Sequence, residues 1–190
     1  MAENIMEKLN NECLSCNKCE LCQGRHNVVF GIGNPTAKIM FIGEGPGEQE
    51  DLKGEPFVGK SGQLLDKYLS LIDLDRNSNI YIANIVKCRP PHNRDPKPQE
   101  QDVCIEYLRQ QVKIVRPRII VCLGRIAAQR LISPEFRVTS QHGQFFEKGG
   151  ILFMGTFHPS ALLRNESNKP LALEDFQSLR DKIKAEGIEI

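Results

Sequence analysis

Cys13, Cys16, Cys19 and Cys22 recur at every third position, and Cys88, Cys104 and Cys122 lie far downstream. A C-x2-C pair offers two soft thiolate donors from one turn, and a four-cysteine zinc or iron–sulfur site needs a second pair to close its shell. Cys88 and Cys104 are candidates for that second pair, because they bracket the loop that starts at Arg89. Cys122 sits inside an apolar run, where a free thiol behaves as a small core hydrophobe. Cys16 and Cys19 read as ligands, while spacing alone separates neither zinc from a cluster nor one register of the four N-terminal cysteines from another. The odd total of seven argues against a disulfide framework.

A second constellation has no cysteine in it. Gly43-Glu44-Gly45-Pro46-Gly47 follows one apolar run, Asn84 interrupts another between Ala83 and Ile85, and His158-Pro159-Ser160 follows a third. An amide inside an apolar run is costly unless it is satisfied, which marks Asn84 as a working residue.

The elements that must position these groups are legible from periodicity. Near-continuous apolar runs over 38–43, 80–86, 118–124 and 151–157 suit strands buried on both faces. Helical spacing over 61–72, 98–115, 125–131 and 172–185, with a short helix over 1–12, places helices between and around them. Strands alternating with helices predict one α/β domain over 1–190, a three-layer sandwich with a central, mainly parallel four-stranded sheet. Sites in such sheets form where loops leave the carboxyl ends of the strands, and the glycine-rich turn, Asn84 and His158 all fall there.

Composition bounds the partners. A net charge of +1 excludes a global basic field, so any nucleic-acid face is local, near Arg89, Arg94 and Lys97 or near Arg164. Glu3, Glu7 and Lys8 interrupt the N-terminal segment before an apolar run could form, so neither a membrane partner nor a secretory route is expected. A cytoplasmic location and a monomer are the expectations.

From Cys16 to Arg164 the chain resembles, in order, the motifs of the family-4, iron–sulfur-containing uracil-DNA glycosylases. The match lies in Gly43 to Gly47 with Glu50-Asp51 and the stretch from Gly54 to Leu65, then Asn84 to Pro91 with Asn93-Arg94, then His158 to Arg164. The resemblance implies an enzyme that flips uracil out of single- or double-stranded DNA and hydrolyses its glycosidic bond. It implies a [4Fe-4S] cluster on Cys16, Cys19, Cys88 and Cys104, with Cys13 and Cys22 as additional cysteines that could substitute. In that family Phe57 would stack on uracil, Asn84 would read its edge and His158 would donate to O2. Glu44, Gly45 and Pro46 would line the base, and Glu44 or Glu50 would orient water. Leu162 or Leu163 would wedge the gap in the DNA, and Arg164, Arg89 and Arg94 would meet phosphate. The competing readings are a module that traps uracil-DNA without turnover and a metal-stabilised nucleotide-binding domain.

Overall fold

The computed structural model describes residues 2–190. Among them the chain runs α1 (Ala2–Leu14), α2 (Leu21–Gly24), β1 (Ile32–Gly33), β2 (Ile39–Gly43), α3 (Glu48–Lys53), α4 (Lys60–Ser70) and β3 (Ile80–Asn84). It continues with α5 (Pro98–Val115), β4 (Ile119–Leu123), α6 (Arg125–Leu131), α7 (Val138–Gln141), β5 (Phe145–Lys148), β6 (Ile151–Thr156), α8 (Pro159–Arg164) and α9 (Lys169–Ala185). The helix expected over 1–12 is α1, and Met1 lies outside the described residues.

The four expected strands form the parallel centre, in the order β3-β2-β4-β6. The expectation of a four-stranded sheet is corrected to six, in the order β1-β3-β2-β4-β6-β5, because β1 and β5 add antiparallel edges. Both edges escape a periodicity reading for a physical reason. β1 is two residues long, and β5 is only half covered, so neither carries a buried apolar run.

Successive strand residues face opposite layers, as the pleat requires. Met40, Ile42, Tyr81, Ala83, Ile120 and Cys122 join the core beneath α1, α5 and α6. Ile39, Phe41, Ile80, Ile82, Ile119 and Val121 join the core beneath α4 and α9. Buried faces on both sides of every central strand are why the sequence reads as continuous rather than alternating apolarity. The second core is keyed by aromatics: the Phe176 ring stacks on Tyr68 at 5.1 Å and on Phe41 at 6.1 Å. Cys122 is fully buried in the first core, as its place in an apolar strand implies.

The chain leaves β2 towards β3 on one side and later returns to β4 on the other. The strand order therefore reverses beside β2, and the crevice at its carboxyl end is where such sheets bind ligands. Phe176→Ala should cost about 3–5 kcal/mol of stability by leaving a cavity under α9, read as a lower urea midpoint with an unchanged slope.

Candidate active site

A cavity of about 940 Å³ opens at the carboxyl edge of the sheet, near the upper end of the range for small-molecule sites. Glu44, Gly45 and Pro46 from the turn after β2, Phe57, Asn84 and His158 all line it. The three distant segments singled out in the sequence do converge.

Phe57 is held where a regular element would not put it. Its backbone is left-handed (φ 54°), unusual for a bulky residue and costly unless the surroundings enforce it. Arg76 supplies one clamp, donating from Nη1 to the Pro56 carbonyl at 3.1 Å and from Nη2 to the Phe57 carbonyl at 2.9 Å. Asp66 anchors that guanidinium at 2.6 Å. Glu50 supplies the other, its Oε1 accepting the Val58 and Gly59 amides, each at 2.9 Å. Glu50 thus braces the Phe57 loop, and the geometry separates it from Glu44, whose carboxylate has no such commitment among the described residues.

Asn84 ends β3 and is 2 % exposed. Its Oδ1 is buried and has no hydrogen-bond partner among the described residues. Gly43, its register partner on β2, explains how the side chain fits: a Cβ there would collide with Asn84 Oδ1 and come within 2.7 Å of Phe57 Cζ. Glycine at 43 therefore lets the amide and the ring approach the same point.

His158 caps α8, and its ring lies 5.7 Å from that of Phe57 at an interplanar angle of 32°. Its Nδ1 accepts the Ser160 backbone N–H at 3.1 Å, which leaves the ring hydrogen of the neutral imidazole on Nε2. Desolvation, with Arg164 adding repulsion and Glu50 opposing it, lowers the His158 pKa to about 4. The ring is brought close to the sheet by Gly124, where a Cβ would sit 2.8 Å from His158 Cβ and the backbone φ of 90° itself disfavours a side chain. Glu44 moves the other way. Desolvation and then Asp95 raise its pKa to about 7, against Arg125 and Arg164. One half-dry cavity pushes both groups towards neutrality.

The two leucines divide. Leu162 is 1 % exposed in the second core, whereas Leu163 is 41 % exposed on the cavity rim. Leu162 is thus corrected from a candidate wedge to a core residue. The arginines divide as well. Arg94 is spent on a two-pronged pair with Glu100 at 2.7 and 2.9 Å, bracing its own loop instead of standing free for phosphate. Arg89 donates to Asn93 Oδ1 at 2.8 Å and lies 3.7 Å from Glu48. Arg164 is exposed at the rim, together with Lys60 and Arg137, two cavity residues that the sequence reading missed. Lys60 lies inside the motif from Gly54 to Leu65 without standing out from it, and Arg137 lies in no motif; α4 and the loop before α7 reach the rim only through the fold.

A second, small cavity lies between α1, α2, the segment after β3 and α5, lined by Cys13, Cys16, Cys19, Cys22, Cys88 and Cys104. Arg25 Nη1 donates to Cys88 Sγ at 3.3 Å, and the Lys87 backbone N–H donates to Cys104 Sγ at 3.2 Å. Among the described residues no three Cys, His, Asp or Glu side chains are already closed around a single-ion position. Sulfur atoms converging under N–H donors are the donor chemistry a thiolate-bound group requires.

Fold and site together define an α/β protein with a polar cavity at the carboxyl edge of its sheet and a second, cysteine-lined cavity. The family model described as the uracil DNA glycosylase superfamily matches residues 30–182. A type-4 uracil-DNA glycosylase of Archaeoglobus fulgidus is 44% identical over 189 residues, covering 94% of this chain and 92% of its own. One of Thermotoga maritima is 42% identical over 97% of this chain and 98% of its own. A type-5 enzyme of Pyrobaculum aerophilum is 31% identical over 68% of this chain and 64% of its own. The chain belongs to the type-4 uracil-DNA glycosylase family.

Glu50→Ala should release the Phe57 loop. Amide hydrogen exchange at Val58 and Gly59 should then accelerate about tenfold or more, since each loses a charge-assisted hydrogen bond, while exchange in β4 stays unchanged.

Proposed function

We propose that this protein removes uracil from DNA by hydrolysis of the bond between C1′ and N1, and that Asn84, His158, Phe57 and Glu44 carry the reaction. The observation that carries the proposal is the buried, partnerless Oδ1 of Asn84 beside Phe57 and His158. Stacked uracil hides the base, so the nucleotide swings out of the helix before it can enter such a recess. Uracil offers N3–H to Oδ1 and O4 to the amide donor; cytosine presents the reverse pattern and leaves the acceptor facing an acceptor.

Phe57 provides the face on which the ring stacks. As the C1′–N1 bond breaks, the electron pair stays with the base. The Nε2–H of neutral His158 is the donor suited to the charge growing on O2. A histidine with a pKa near 4 stabilises this anion by hydrogen bonding without giving up its proton. The sugar left behind is oxocarbenium-like; the Glu44 carboxylate offsets its positive charge and aligns the water whose oxygen bonds to C1′. Leu163 would fill the gap left by the flipped nucleotide, and Lys60, Arg137 and Arg164, exposed at the rim, would meet phosphates.

The six cysteines lining one cavity support an iron–sulfur cluster that Cys16, Cys19, Cys88 and Cys104 would hold, with Cys13 and Cys22 close by. Its contribution would be structural, tying α1, α2, the segment after β3 and α5 together. Iron and a visible absorbance band should accompany the purified protein. Cys88→Ala should lose both, and Cys122→Ala should keep both.

A uracil-containing oligonucleotide tests the proposal. Many equivalents of free uracil and abasic DNA per enzyme are expected, whereas a stable one-to-one complex without release would favour the trapping module. Because Glu44 titrates near 7 and works as a carboxylate, turnover should rise through that pH and level off above it. Glu44→Gln should remove this limb and lower the plateau by about a hundredfold or more. His158 is already neutral above about 4 and should add no limb at neutral pH.

A further inference from the structure

Lys87 is a charged side chain that the base cavity does not use. It follows Val86 at the end of the β3 segment and is 1 % exposed, so its ammonium is enclosed by protein. Its Nζ donates to the Asn84 backbone carbonyl at 3.0 Å and to Gln111 Oε1 at 2.6 Å, and lies 5.8 Å from the Phe30 ring centre. Gln111 is fixed in turn, donating to the Phe30 carbonyl at 2.9 Å and to the Tyr81 hydroxyl at 3.1 Å. Among the described residues, the ionisable groups that face the ammonium are the thiols of Cys104 and Cys13. The Lys87 backbone N–H ends on Cys104 Sγ at 3.2 Å. One residue therefore touches the cysteine cavity with its main chain and the uracil reader with its side chain.

A buried ammonium is costly unless it is hydrogen-bonded, and Lys87 meets this need on the Asn84 carbonyl and the Gln111 amide oxygen while its main chain bonds Cys104 Sγ. We propose that Lys87 is a positioning residue for uracil recognition. It ties the Asn84 backbone to the cysteine cavity, so that assembling the thiolate site fixes the amide that reads the base. The side chain of Asn84 can aim at one point only if its backbone is held, and the Nζ–carbonyl bond is the tie that holds it from behind. The inference rests on the role given to Asn84 above.

The test is a double-mutant cycle on the iron-loaded protein. Lys87→Met should slow single-turnover cleavage about tenfold or more by leaving the Asn84 carbonyl unpaired, with affinity for uracil-containing DNA unchanged. In an Asn84→Ala background the same change should cost less than about twofold, because the group it acts through is gone. Lys87→Gln, which keeps an N–H donor, should recover part of the rate, and it carries the same cycle if the methionine variant does not accumulate. Independently of activity, loss of the visible absorbance to a chelator should be faster in Lys87→Met than in the parent, and unaltered in Asn84→Ala. Equal fold-losses in the two backgrounds, a loss confined to DNA affinity, or unchanged chelator resistance would each overturn the proposal. Full activity in Asn84→Ala alone would instead remove the reading of Asn84 on which it stands.

Discussion

A hydrogen-bond acceptor buried without a partner is the constraint around which the site is arranged. Leaving such a group unpaired costs roughly 1–3 kcal/mol, and the free protein carries that cost at Asn84 Oδ1. The fold withholds the ordinary remedies. Gly43 leaves no side chain that could bond to it, and the nearest ring, Phe57, approaches the same point with apolar carbon. An incoming ring with an N–H at the matching position removes the penalty, and one with an acceptor there deepens it. Under the proposed role of Asn84, selectivity follows from what the pocket lacks before the base arrives.

Holding that arrangement takes bracing from several elements. Arg76 and Glu50 grip the Phe57 loop from its carbonyl and amide sides, and Glu50 comes from α3 while Asp66, which steadies Arg76, comes from α4. Lys87 and Gln111 support β3 from the opposite layer. The same dry enclosure sets the acid–base states. It keeps His158 uncharged, so it donates a hydrogen bond without becoming an acid, and it makes Glu44 reluctant to ionise until pH approaches 7. One environment disfavours charge on both groups, so in the proposed reaction His158 serves the departing anion uncharged, whereas Glu44 must first lose its proton to serve the cationic sugar.

Much of this was readable in the chain, and the reasons are physical. The four central strands are buried on both faces, so they appear as unbroken apolar runs, and helices α5 and α6 fall on the predicted residues 98–115 and 125–131. Asn84 stood out because an amide in such a run must have a use. The edge strands were hidden because pairing on one side demands little apolarity. Leu162 and Leu163 are the same residue type side by side, and only the turn of α8 decides which is core and which is rim. Glu44 and Glu50 are likewise indistinguishable until the Val58 and Gly59 amides are seen to claim one of them. Arg94 looked free until its partner Glu100, on the next helix, closed on it. Lys87, between an apolar strand and Cys88, shows its buried ammonium only once α5 packs Gln111 against it.

The proposed function turns on one hydrogen bond, between Asn84 Oδ1 and the N3–H of the bound base. Competition by free uracil and by 3-methyluracil for the cavity isolates it, since methylation removes that single N–H and leaves the stacking face and both carbonyls in place. Uracil should inhibit cleavage, and 3-methyluracil should do so at least about tenfold more weakly, with the difference vanishing in Asn84→Ala. Equal inhibition by the two compounds in the unaltered protein would contradict the account.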